Sequence, residues 1–211
     1  MNHYVIAIAR EKGSGGSSVA HTLSRKLGIP YYDRELLRKA SEVSGINEEL
    51  FGRADEQIGR KEMMLAAKKV YKGEVLPPDS DDFVSTKNLF NFQAKVIKEL
   101  AQTESCIIIG RCADYLLDGQ PNVLSVFIHA PLEFRRGRVA SYSLSLTDRE
   151  IDKLIQDCDR RRSGYYKYYT GCDWKDATHK DISLDTSVLG IEGAADRIIA
   201  ALPLFLGVKI R

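Results

Sequence analysis

With 211 residues, 44% of them hydrophobic and 28% charged, the chain has the make-up of a soluble globular domain with one substantial core. Its 31 basic and 29 acidic residues leave a formal charge of +2, too small an excess for a protein built to bind nucleic acid, while local cationic clusters facing a small anion remain open. No apolar run is long enough to span a bilayer, and MNHYVIAIAR has neither the basic start nor the small-residue cleavage site of a signal peptide. The 4 cysteines show no CxxC spacing, so free thiols in a reducing cytoplasm are expected, with no membrane partner.

The first element is YVIAIA (residues 4–9), an apolar run that reads as a strand covered on both faces. GSGGSSVA (13–20) follows, a glycine-rich loop running into an amphipathic helix. IPYYD (29–33) is the second strand. From there to residue 106 the pattern is mostly helical, with helices expected over 35–42, 48–71 and about 85–103. Between the last two, KGEVLPPDSDDFVS marks a loop through its glycine, paired prolines and acidic cluster. An insert of this length, about 34–104, is expected to form a helical subdomain overhanging one end of the sheet. CIIIG (106–110) and VLSVFIHA (123–130) are the third and fourth strands. A second excursion, about 141–180, carries the basic helix LTDREIDKLIQDCDRRR, N-capped by Thr147 or Asp148, and the aromatic stretch SGYYKYYTGCDW. DISLD (181–185) closes the sheet. Strands alternating with helices predict an α/β sandwich around a mainly parallel sheet, in a single domain spanning 1–211.

The loop after the first strand has the parts of a phosphate cradle. Gly13, Gly15 and Gly16 permit the positive φ angles that leave backbone N–H groups bare and convergent. The helix that starts at once aims the positive end of its dipole at an anion. Ser17 and Ser18 place hydroxyls where they bond phosphate or hold Mg²⁺, and Ser14 lies within the cradle.

Four segments, in this order, resemble the cytidylate kinase-like branch of the P-loop nucleoside monophosphate kinases. They are AIAREKGSGGSSVAHTLSRKLGIPYYDRELL, IIIGRCADYLL, VFIHAPLEFRRGRV and ISLDTSVLGIEGAADRII. The resemblance covers nearly the whole chain. It implies a three-layer P-loop kinase fold with a five-stranded parallel sheet, a helical acceptor-binding insert and an arginine-rich lid. It also implies phosphoryl transfer from ATP, with Mg²⁺, to a nucleoside monophosphate or similar phosphorylated acceptor. On the same fold, a regulatory or sensor protein that binds nucleotide without turnover is the alternative.

The resemblance also assigns residues. Gly13, Ser14, Gly15, Gly16, Ser17 and Ser18 bind the donor phosphates, with Ser17 on the metal. Arg111 meets the acceptor phosphate, Asp33 matches an acceptor-site carboxylate, and Arg38 flanks the same strand end. Arg135 and Arg138 lead into the lid, where Asp159, Arg160 and Arg162 match the lid motif, while Arg161 reads as a solvated neighbour. The branch has lysine where this chain has Gly16, and glycine where it has Arg10. Lys12 inside the loop and Arg10 at its entrance are the local cations within reach of a β- or γ-phosphate. The lid arginines Arg160 and Arg162 are the other source of charge.

Overall fold

In β1 (Val5–Arg10) the side chains alternate between two apolar layers, as the two-residue period of a strand requires. Val5, Ala7 and Ala9 join one buried cluster; Ile6 and Ile8 join another on the opposite face. A strand buried on both faces has no polar face to show, which is why its sequence is almost continuously apolar. The computed structural model describes residues 3–56 and 74–206. In it β1 is the centre of a five-stranded parallel sheet of order β2-β3-β1-β4-β5. The other strands are β2 (Tyr31–Tyr32), β3 (Cys106–Ile109), β4 (Val123–His129) and β5 (Ile182–Asp185). Four fall within the strand runs read from the sequence, and β1 extends one residue past its run, to Arg10.

On the face of Ile6 and Ile8 lie α1 (Gly16–Leu27) and α8 (Thr186–Leu206), the latter broken at Gly190, whose φ is 66°. The opposite face is covered by α2 (Glu35–Ser44), α3 (Glu48–Glu56) and α4 (Thr86–Thr103). Leu36, Phe51 and Ile97 of these helices share one apolar cluster with Val5, Ala7 and Ile108 of the sheet. The described part of the insert is therefore built into the main core. The rest of the helix expected over 48–71 lies outside the described residues. Short α5 (Ala113–Leu116) follows β3, and α6 (Leu132–Tyr142) follows β4.

The basic helix of the second excursion is α7 (Asp148–Thr170). Thr147 caps it in a reciprocal box: its side chain accepts from the Glu150 N–H, and the Glu150 carboxylate accepts from the Thr147 N–H. Its first turns pack on α6 through Val139, Ile151 and Ile155. Its last turns reach the main core through Tyr166 and Tyr169, and the Tyr169 ring stacks on Phe90 at 3.7 Å. The tyrosines of this stretch mostly pack, and Trp174 closes edge-on against Phe127.

Candidate active site

The carboxyl ends of β1, β2 and β3 open into one cleft, and the loop after β1 forms the wall of a second. Ligands of open parallel sheets collect at such ends, where the chain switches from one side of the sheet to the other. The loop is held open by glycine. Gly13 and Gly15 have φ angles of 81° and 84°, a region that side chains with a Cβ rarely enter. Added Cβ atoms would also collide, 2.8 Å from the Arg135 carbonyl oxygen at Gly13 and 2.5 Å from Ile191 Cδ1 at Gly15. The first-turn amides of α1 lack intrahelical acceptors by construction, and they face this cleft with the exposed Ser17 and Ser18. Ser14 does another job. Its buried hydroxyl donates to the Glu11 carbonyl at 2.9 Å, and its own carbonyl accepts from Thr186 Oγ1 at 2.6 Å, so it pins the loop to β5 and α8.

The loop cleft, about 220 Å³, is lined by Gly13, Gly15, Gly16, Lys12, Arg138 and Arg162 among others. The strand-end cleft, about 210 Å³, is lined by Asp33, Arg111, Cys158, Arg161, Tyr165 and Trp174 among others. Arg10 and Arg162 line both. The strand-end cleft has four arginines (Arg10, Arg111, Arg161, Arg162) against two aspartates. One of these, Asp114, is buried in an ion pair with Lys180 and accepts from the Tyr166 hydroxyl at 3.0 Å. In the loop cleft the carboxylate of Glu11 is occupied by Lys175 and Arg135. Among the described residues, a chain almost neutral overall thus gathers more arginine and lysine than carboxylate in two adjoining clefts, an arrangement that favours anions.

Arg111 owes its position to an unusual backbone. Gly110, Arg111 and Cys112 follow one another at φ 74°, 53° and 56°. For the two residues with side chains this left-handed conformation costs on the order of 1–2 kcal/mol each, and such strain clusters at ligand sites. The turn brings Arg111 Nε to 3.4 Å from the Asp33 carbonyl and its Nη1 to 3.3 Å from Gln93 Oε1, at the cleft wall. Arg10 is the other embedded cation. Its Nη2 lies 3.4 Å from Asp33 Oδ1, and its shielded Nε has no hydrogen-bond partner. Burial, then Arg162, hold its pKa down at about 10, against the pull of Asp33, and leave it charged at neutral pH.

Helix α7 is clamped to the loop. Asp159 accepts from the Lys12 N–H at 2.7 Å and from Arg135 Nη1 at 2.6 Å; Arg135 also donates to the Lys12 carbonyl at 3.2 Å. Arg162 Nη1 donates to the Arg10 carbonyl at 3.0 Å. Asp159 and Arg135 therefore shape the loop, whereas Arg138 and Arg162 face a cleft. The Lys12 ammonium lies 5.5 Å over the Tyr142 ring. Arg160 and Arg38 are not brought to either cleft: both are exposed, the first paired with Asp157 and the second with Glu42 one turn away on its own helix. Arg161, read from the sequence as solvated, lines the strand-end cleft instead.

Sheet order, loop and helix layers together define the three-layer α/β fold of the P-loop kinases. A shikimate kinase from Bacteroides thetaiotaomicron shares it with a TM-score of 0.51 at 15% identity, over 94% of this chain and 98% of that one. The profile of the cytidylate kinase-like family matches residues 5–188, and the chain belongs to that family. It is 28% identical to a cytidylate kinase of Sulfolobus acidocaldarius over 93% of each chain. A cytidylate kinase of Methanothrix thermoacetophila is 24% identical, over 94% of this chain and 97% of the other. The structure of an uncharacterized protein from Eubacterium ventriosum overlays with a TM-score of 0.69 at 25% identity, covering 98% of this chain and all of that one. No described helix is long and apolar enough to cross a membrane.

Proposed function

We propose that the protein is an ATP-dependent phosphotransferase that phosphorylates a nucleoside monophosphate or a similar phosphorylated acceptor. The observation that carries this reading is the meeting of two cationic clefts at Arg10 and Arg162. One cleft is built from a glycine loop and a helix N-terminus, the other from strand ends and Arg111. In this reading ATP lies in the loop cleft, its phosphates on the amides of Gly13 to Ser18, and the acceptor phosphate lies against Arg111 with Asp33 nearby. Phosphoryl transfer asks the protein mainly for in-line positioning and charge neutralisation.

The donor set around the loop fits magnesium. Among the described residues no cluster of three or more His, Cys, Asp or Glu side chains is placed to hold a metal. The exposed Ser17 hydroxyl would hold the ion, with the remaining ligands supplied by phosphate and water, as Mg²⁺ accepts. When bound, the ion neutralises charge on the β- and γ-phosphates.

A location in the cytoplasm accords with this chemistry. The test is transfer of label from [γ-³²P]ATP–Mg²⁺ to a panel of CMP, dCMP, UMP, AMP, GMP and shikimate. A labelled diphosphate product is expected. ATP binding by calorimetry with no labelled product in a single turnover would instead establish a nucleotide-binding sensor, the reading favoured by Gly16 carrying no cation.

A further inference from the structure

Resting on that reading, we propose that Arg10 is the catalytic cation that holds the phosphoryl group in transit, and that Arg10 and Gly16 form a coupled pair. The argument begins with the reason for glycine at position 16. Gly16 does not adopt the positive φ of its neighbours Gly13 and Gly15, so the backbone does not call for glycine there. Space does. A Cβ on Gly16 would lie 2.5 Å from Arg10 Cβ and 2.9 Å from Arg10 Cγ. The stem of Arg10 occupies the room in which any side chain at position 16 would begin. One cation is accommodated at this point of the loop, and it arrives from the end of β1.

The destination of that side chain supports the same role. Its guanidinium passes beside Gly110, where an added Cβ would collide with Nη1, and lines both clefts. Arg162 and Arg111 lie close enough to repel it, while Asp33 at 3.4 Å is its carboxylate partner among the described residues. Its Nε–H is shielded from solvent and bonded to nothing. Arg10 and Arg162 line both clefts, and the unspent Arg10 donor is free to meet an anion that lies between them. A phosphoryl group moving from one cleft to the other crosses that point. In the step, an oxygen of the acceptor phosphate forms a bond to the γ-phosphorus as the bond to the β–γ bridging oxygen breaks. ADP departs with the electron pair, and a dianionic acceptor phosphate releases no proton. The charge spread over the three equatorial oxygens is what Arg10 stabilises. Of its rivals, Lys12 lines the loop cleft alone and Arg160 reaches neither, while Arg162 lines both but spends its Nη1 on the Arg10 carbonyl at 3.0 Å.

The test compares wild type, Arg10→Met, Arg10→Lys and the double variant Arg10→Gly/Gly16→Lys, all full-length, with ATP–Mg²⁺ and the best acceptor of the panel. Arg10→Met should lower kcat by about 10³-fold, with ATP affinity by calorimetry changed less than about tenfold. Arg10→Lys should recover part of the loss. The double variant, with its cation returned from position 16, should recover most of it. Wild-type turnover combined with a kcat for folded Arg10→Met within threefold of wild type overturns the assignment and leaves the kinase reading standing. No wild-type turnover at all overturns both. A crystal of wild-type protein with ADP, Mg²⁺, acceptor and aluminium fluoride decides the matter independently of whether the variants fold. A guanidinium N–H of Arg10 on the fluoride is expected, and a fluoride shell made without Arg10 refutes the inference.

Discussion

Removing the Asp159 carboxylate tests whether α7 is clamped to the loop or merely rests on it. In Asp159→Ala the Lys12 N–H and Arg135 Nη1 lose acceptors at 2.7 and 2.6 Å, both at a side chain only 15% exposed. Hydrogen bonds to a charged group are each worth about 1.5–3 kcal/mol. Part of the loss is made good by Glu11, whose Oε2 lies 3.5 Å from Arg135 Nε. The net cost should be about 2–4 kcal/mol, or about 5–15 °C in Tm for a domain of this size. Because Tyr166 and Tyr169 root α7 in the main core, the loss should appear in global unfolding rather than in a detached lid. Urea denaturation at pH 7 is the assay, read as a fall in midpoint at constant slope. Asp159→Asn keeps one oxygen for the Lys12 N–H and should cost about half as much. A change below about 0.5 kcal/mol in Asp159→Ala would show that the clamp is not holding the two elements together.

The loop, the acceptor cleft and the lid each give a further expectation. Gly15→Val meets Ile191 Cδ1 at 2.5 Å and Arg138 Nη1 at 2.7 Å, at a φ that a β-branched residue resists. It should weaken ATP binding by at least about 100-fold in calorimetry, and unchanged affinity in a folded variant would remove the phosphate-loop reading. Arg111→Ala should cost the acceptor about 2–3 kcal/mol, roughly 30–150-fold in Kd, and ATP less than about threefold. Equal losses for the two ligands would mean that Arg111 serves the wrong cleft. Arg160→Ala, which removes an exposed arginine paired only along its own helix, should leave kcat within about threefold of wild type. A collapse of turnover in that variant would require a lid rearrangement that brings Arg160 inward.

Much of the fold was legible because each layer repeats one physical rule. Strands buried on both faces must be apolar throughout, so Ile6 to Ala9 and Ile107 to Ile109 announced themselves. The glycines of the loop and the capping Thr147 follow from backbone geometry that any chain must satisfy. What composition left hidden was direction. Three consecutive arginines in α7 were read by motif, and the helix's apolar stripe sorts two of them, though not Arg161, which lies about 120° from Ile155 yet lines the strand-end cleft. Ile151, Ile155, Tyr166 and Tyr169 mark the inward face. At 3.6 residues per turn, Arg162 lies about 20° from Ile155, while Arg160 lies about 140° round the helix. That arithmetic, available from the sequence, puts Arg162 inward and Arg160 in solvent. The aromatic stretch also hid a double use: Tyr166 and Tyr169 are buried in the core, and Tyr165 and Tyr166 line the cleft as well.

The sequence marked positions 10 and 16 as departures from the family pattern, but not that they compete for one space. Read along the chain, Arg10 is a cation at the loop entrance and Gly16 a glycine where the family has lysine, with nothing to link the two. Only their approach, with the room at Gly16 taken by the stem of Arg10, turns two ordinary residues into alternatives for one space. It follows that Gly16→Lys alone cannot simply add a charge. The new stem would have to displace Arg10 from its position beside Asp33 and Gly110, leaving two cations to compete where one fits. The single variant should therefore lose stability and turnover together, and deletion of the Arg10 side chain in the same molecule should restore both. A gain of activity in Gly16→Lys alone, with stability unchanged, would show that the two positions are independent and that the space between them is not what selects glycine at position 16.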